Sequence, residues 1–76
     1  MKPEIPKNVQ RRIANNLVHY RKISGLSQQQ VSDATSYSVN YLSLLENGHR
    51  GISVGGLCAF AELYDVTPGT IIDEER

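Results

Sequence analysis

The 76-residue chain predicts an all-α domain of five short helices. Three observations carry this reading. Apolar residues recur three and four positions apart along most of the chain. A serine or threonine stands where each helix after the first should begin. No segment alternates apolar and polar residues as a half-buried strand does. The length admits one domain, which buries only about 60–65% of the surface its unfolded chain exposes.

The first helix is expected from about Lys7 to Ile23, with Val9, Ile13, Leu17 and Tyr20 on its inward side. Gly25 suits the turn beyond it. Pro3 and Pro6 confine residues 1–6 to an extended arm. Ser27 opens the second helix, and Gln30 three positions on completes a capping-box pattern. Val31 and Ala34 are its inward residues. Thr35, Ser36 and Tyr37 make the turn that follows. Ser38 caps the third helix, Leu42 and Leu45 face inward, and Asn47-Gly48 ends it. Ser53 caps the fourth helix, with Val54, Leu57, Phe60, Ala61 and Tyr64 on one side. After the short joint Asp65-Val66, Thr67-Pro68 starts a fifth helix that Ile71 and Ile72 finish. Residues 73–76 are expected to be a frayed tail. The domain proper is then 7–72.

Some function classes are excluded at this level. No apolar run approaches the roughly 18–20 residues a membrane span requires. The start MKPEIPK lacks the apolar centre of a secretion signal. Cys58 is the only cysteine, so it forms no internal disulfide and reads as a small packing residue. His19, His49 and Cys58 have no metal-ligand spacing, and no cofactor is implied. No nucleophile–base pair or glycine-rich phosphate loop is present, so an enzyme is not expected. A cytoplasmic protein is the simplest reading.

The net charge of zero conceals a division. From Lys7 to Arg50 the bases Lys7, Arg11, Arg12, Arg21, Lys22 and Arg50 stand against Asp33 and Glu46, a net +4. From Gly51 onward Arg76 stands against Glu62, Asp65, Asp73, Glu74 and Glu75, a net −4. Such a dipolar surface can meet nucleic acid with one face. The second and third helices are joined too closely to lie side by side. A three- or four-residue turn fits a steep crossing, as in a helix-turn-helix.

Leu26-Ser27-Gln28, Val31, Ala34, Ser38, Tyr41, Leu42, Ser43, Leu45 and Glu46-Asn47-Gly48 resemble the helix-turn-helix of the Cro/phage-repressor (Xre-like) family. Ser53, Leu57, Ala61 and Tyr64 to Pro68 extend the resemblance, which covers roughly Val9 to Ile72. It implies a lambda-repressor-like five-helix domain that binds double-stranded operator DNA, usually as a homodimer. The third helix would lie in the major groove, braced by the second. Two positions depart from the family pattern. Ser36 stands where glycine is usual, and Ile52 where proline often precedes the fourth-helix cap.

With Leu42 and Leu45 inward, Ser38, Val39, Asn40, Ser43 and Leu44 are the expected base contacts. Asn40 can bridge adenine N6 and N7, the serines can donate or accept, and Val39 and Leu44 offer methyl contact to thymine. Leu44 is expected to be exposed. Gln28, at the first turn of the second helix, is an expected phosphate contact. Lys22, Tyr41, Asn47 and Arg50 are the others. Arg21 and Glu46 stand where the family often pairs arginine with glutamate, and are expected to form a structural ion pair. Gly55-Gly56 is unusual inside a helix. It suits close approach of another chain or of DNA backbone, or an unconstrained site. The expected function is a sequence-specific transcriptional regulator, a repressor or controller. The alternative is a protein-interaction module of the same fold, acting as an antagonist or assembly partner through an exposed face.

Overall fold

Four of the five helices in this computed structural model begin on a side-chain hydroxyl. The structure describes residues 5–76, and residues 1–4 of the expected arm lie outside them. The helices are α1 (Lys7–Ile23), α2 (Gln28–Thr35), α3 (Val39–Glu46), α4 (Val54–Tyr64) and α5 (Pro68–Asp73). Ser27 Oγ accepts from the Gln30 N–H at 3.1 Å while Gln30 Oε1 accepts from the Ser27 N–H at 2.8 Å. This reciprocal box satisfies two donors that the helix start would otherwise leave free. Ser38 caps Tyr41 at 3.0 Å, Ser53 caps Gly56 at 3.0 Å, and Thr67 caps Thr70 at 3.1 Å.

The helix ends are equally local. After α1, the Leu26 N–H reaches back to the Arg21 carbonyl and the Gly25 N–H to that of Lys22. The same paired bonds close α3 at His49 and Gly48, and α4 at Val66 and Asp65. Each closure needs a left-handed residue. Asp65 supplies it after α4, with φ of +57°. Ser36 ends α2 with φ of +69°, so the turn keeps the geometry for which glycine is usual. A left-handed conformation costs an L-residue roughly 1–2 kcal/mol. The turn itself is Ser36 to Ser38, and Thr35 is the last residue of α2.

The core joins Ile13 and Leu17 of α1, Val31 of α2, Leu42 and Leu45 of α3, Leu57, Phe60, Ala61 and Tyr64 of α4, and Ile71 of α5. α5 packs on α1 and α4, while α3 sits between α1 and α2. Complete burial of a side chain such as Phe60 contributes about 1.5–3 kcal/mol. A run of rings extends from this core: Tyr41 lies against Tyr37, Tyr37 against Phe60, and Phe60 against Tyr64, with centroids 5.0, 5.6 and 6.3 Å apart. Tyr37 therefore anchors the α2–α3 turn to α4. It also explains Gly56, where an added Cβ would stand 3.1 Å from Tyr37 Oη and 3.3 Å from Ile52 Cγ1. The close neighbour is the chain itself. Gly55 meets only the cap hydroxyl of Ser53, at 4.0 Å, and is not constrained by packing.

Four expectations are corrected. Ala34 is exposed, because the small side chains of Ala34 and Ala59 leave a depression between α2 and α4 unfilled. Val54 is 78% exposed. It sits at the first position of α4, and Ile52 just before the cap packs on the core in its place. Cys58 is also exposed, one step past Leu57 on the outer side of α4. The tail is not frayed. Asn16, the one buried polar residue among those described, donates to the carbonyls of Ile71 and Glu74, both at 2.7 Å. Its Oδ1 accepts from Arg76 Nε at 3.0 Å, and the Arg76 guanidinium lies 5.4 Å from the Tyr20 ring centre. Glu74 takes the Tyr20 hydroxyl and the Arg76 guanidinium, and Arg12 pairs with Glu75 at 3.4 Å. The hydrogen bond to Glu74, followed by burial, raises the Tyr20 pKa above its ordinary value.

Candidate nucleic-acid interface

Eight residues make α3, about 12 Å of helix at 1.5 Å per residue. Leu42 and Leu45 are buried against α1 and α2. A step of 100° per residue places Asn40, Ser43 and Leu44 within one arc on the opposite side. Asn40 is exposed, and Ser43 and Leu44 are half-covered. Leu44 is thus less open than the sequence predicts, although it does not join the core. Ser38 is exposed at the N-cap and Val39 is half-buried beside it. Because Ser38 Oγ accepts from the Tyr41 N–H, its hydroxyl proton remains available to a ligand.

An ion pair ties α1 to this helix, and α2 joins it through a neutral amide. Arg21 Nε donates to Glu46 Oε2 at 2.8 Å, and Arg21 Nη2 to Glu46 Oε1 at 3.1 Å. Arg21 Nη1 also donates to the Leu26 carbonyl at 3.0 Å. Gln28 Nε2 donates to the same Glu46 Oε1 at 3.1 Å. Four segments meet here: the end of α1, the turn after it, the start of α2 and the end of α3. Hydrogen bonding to Glu46 raises the Arg21 pKa, against the opposing effect of burial, so the guanidinium stays charged. Gln28 keeps a second amide hydrogen free at the start of α2, where helix N–H groups favour an anion.

Four of the polar candidates form two pairs. The Arg50 guanidinium stands 5.3 Å from the centre of the Tyr41 ring, which holds the charge beside α3. Asn47 Nδ2 donates to the Ser43 carbonyl at 2.8 Å and to Ser43 Oγ at 3.4 Å. For Asn47 to meet a phosphate through its amide, these bonds must open. Lys22 is exposed in the last turn of α1, apart from the other candidates. The sequence did not reveal Tyr37, whose ring backs Tyr41. Its signal is the spacing of Tyr37 and Tyr41 across a helix start, which only the tertiary contact with Phe60 makes meaningful.

Among the described residues no group of three or more His, Cys, Asp or Glu is placed to hold a metal ion. No helix among them is long and apolar enough to cross a membrane. His19 packs edge-on against Tyr20 with ring centres 5.0 Å apart.

Comparison with known proteins agrees with this architecture. The profile of a family described as helix-turn-helix domain matches residues 12–72. A solved structure with the same fold is a hypothetical transcription factor, NHTF, from Neisseria. The two superpose with a TM-score of 0.79 at 19% identity, over 95% of this chain and 85% of that one. No curated protein matches the chain significantly.

Proposed function

Since the chain belongs to the helix-turn-helix domain family, of the Xre-like kind, we propose that it is a sequence-specific DNA-binding transcriptional regulator. It acts in the cytoplasm as a repressor or controller, and binds operator DNA as a homodimer with α3 in the major groove. The observation that carries this reading is the two-sidedness of α3. Leu42 and Leu45 are sealed in the core while Asn40, Ser43 and Leu44 share the outward arc. Ser38 and Val39 add contacts at the leading end. Gln28, Lys22, Tyr41, Asn47 and Arg50 hold the phosphate backbone. Residues 7–72 form the binding domain, and α5 ends one residue beyond them, at Asp73.

The dimer reading is supported by the apolar surface at α4 and α5. Ile52, Val54, Leu57 and Ile72 line a groove there with Val9 and Ile13 of α1, and Val54 is largely open. One domain reads too few base pairs to find a site among genomic competitors, and a two-fold dimer doubles the contacts.

A titration with duplex fragments at two salt concentrations tests the proposal. DNA binding should weaken steeply as salt rises, because displaced counterions drive it. Arg50→Ala should lower the salt slope by about one unit per subunit, uniformly across sequences. Salt-insensitive binding, or loss of a protein partner without change in DNA affinity, would favour the interaction-module reading.

A further inference from the structure

The two ends of α3 are held in different ways. At the trailing end, Glu46 takes both Arg21 and Gln28, and Leu45 beside it is buried. Ser38, Val39 and Asn40 stand at the leading end. Among the described residues, no ion pair and no side-chain hydrogen bond from another helix reaches these three. Ser38 Oγ serves its own helix, accepting from the Tyr41 N–H.

A ring braces the leading end instead. Tyr37, one residue before the cap, is held between Tyr41 of α3 and Phe60 of α4. The centroids are 5.0 and 5.6 Å apart, and the planes meet at 30° and 27°. Phe60 is fixed by its burial in the core. The far tip of Tyr37 stops over buried Gly56, where a Cβ would stand 3.1 Å from its Oη. The turn itself supplies little else. The Tyr37 N–H meets Thr35 Oγ1 only at 3.4 Å, a long bond, and Ser36 before it is left-handed.

The firm hold at Glu46 makes this brace matter. Asn40 lies six residues from Glu46, about 9 Å along the axis. A tilt of about 10° pivoting there would carry Asn40 by about 1.6 Å, whereas N–H···O bonds form within a range of about 0.5 Å. A contact between a long side chain and a phosphate absorbs such a shift. A bidentate contact to a base edge does not.

We infer that Tyr37 is a positioning residue that sets sequence specificity through Asn40. Its ring aims the leading end of α3 and needs no base contact of its own. The inference rests on the base-reading function proposed above.

The test measures anisotropy of two labelled duplexes, one carrying a sequence selected by the parent and one a scrambled sequence. Folding of each variant is verified by circular dichroism. Tyr37→Leu should lower the ratio of selected to scrambled affinity by roughly tenfold per half-site, the size of one lost bidentate base contact. Affinity for the scrambled duplex should stay near the parent's. Tyr37→Phe keeps the ring and both stacks, and should keep the ratio. In an Asn40→Ala background, Tyr37→Leu should lower the ratio little further, because the contact it aims is already gone. If Tyr37→Leu does not fold, Gly56→Ala takes its place. The added Cβ presses on Tyr37 Oη at 3.1 Å, closer than on Ile52 or Ser53 at 3.3 Å. Combining it with Tyr37→Phe removes the pressed atom and should restore the ratio. An unchanged ratio, an equal fall for both duplexes, or a full further loss in the Asn40→Ala background overturns the inference. A parent with no preference between the duplexes defeats the proposed function itself, and the positioning role with it.

Discussion

Arg21 and Glu46, 25 residues apart, are joined by two hydrogen bonds of 2.8 and 3.1 Å with only 15% and 8% of their side chains exposed. The pair ties the end of α1 to the end of α3, and Gln28 shares the same carboxylate. Whatever face α3 presents is oriented from this point.

Removal of one partner should be costly, because the other is left buried with its charge uncompensated. Arg21→Met is expected to lower stability by about 3 kcal/mol in urea denaturation. The double variant Arg21→Met, Glu46→Leu should recover much of that loss. Additive losses in the two single variants would show that the pair acts as two independent surface charges.

Ser36 offers the opposite test, a residue whose replacement should help. Its φ of +69° is unfavourable for serine and free for glycine. Glycine also gains freedom in the unfolded chain, which reduces the benefit. Ser36→Gly is expected to add about 0.5–1 kcal/mol, or roughly 3–6 °C in melting temperature. A lower melting temperature would mean that the serine makes contacts which outweigh its backbone strain.

Tyr64 should give the fold an alkaline limit. Burial, reinforced by the negative charge of Glu46, pushes its hydroxyl up to about 12. The folded protein therefore favours the neutral phenol. Its contribution is complete below the unfolded value near 10, and is lost as pH rises from there toward 12. Absorbance at alkaline pH, compared between the parent and Tyr64→Phe, should show the Tyr64 phenol ionising late, together with a fall in stability across that window. Ionisation of Tyr64 near pH 10 would contradict the burial.

Most of the fold was legible because its signals are short-range. Ser27, Ser38, Ser53 and Thr67 each cap an N–H three residues ahead, and a hydroxyl before an apolar run shows this in the sequence. The inward positions Leu42 and Leu45 follow from helical spacing in the same way. What was not legible depends on which neighbour covers a given turn. Val54 has the right phase for the core, yet it lies at the edge of α4 where no helix covers it. Asn16 reads as one more polar residue on α1 until the tail folds back onto it. The role of Tyr37 likewise exists only through Phe60 and Gly56, more than twenty and nearly twenty residues away. Within the candidate site, Arg21–Glu46 was visible through a family resemblance. The pairing of Tyr41 with Arg50 depends on how the loop after α3 folds back.

The central claim, that α3 reads bases with its outward arc, is tested most directly by enriching bound duplexes from a random pool. The parent and Leu44→Gln should be compared, with folding verified for both. Leu44 is not part of the core, so the variant should fold normally. Readout by a dimer requires a two-fold-symmetric sequence, with half-sites about 34–36 Å apart or a multiple of that spacing. Leu44→Gln should then change the preferred base at one position of each half-site. Its expected loss on the original sequence is about 1 kcal/mol, less than that of a good bidentate contact. A pool with no consensus, or the same consensus for both proteins, would contradict readout through this face.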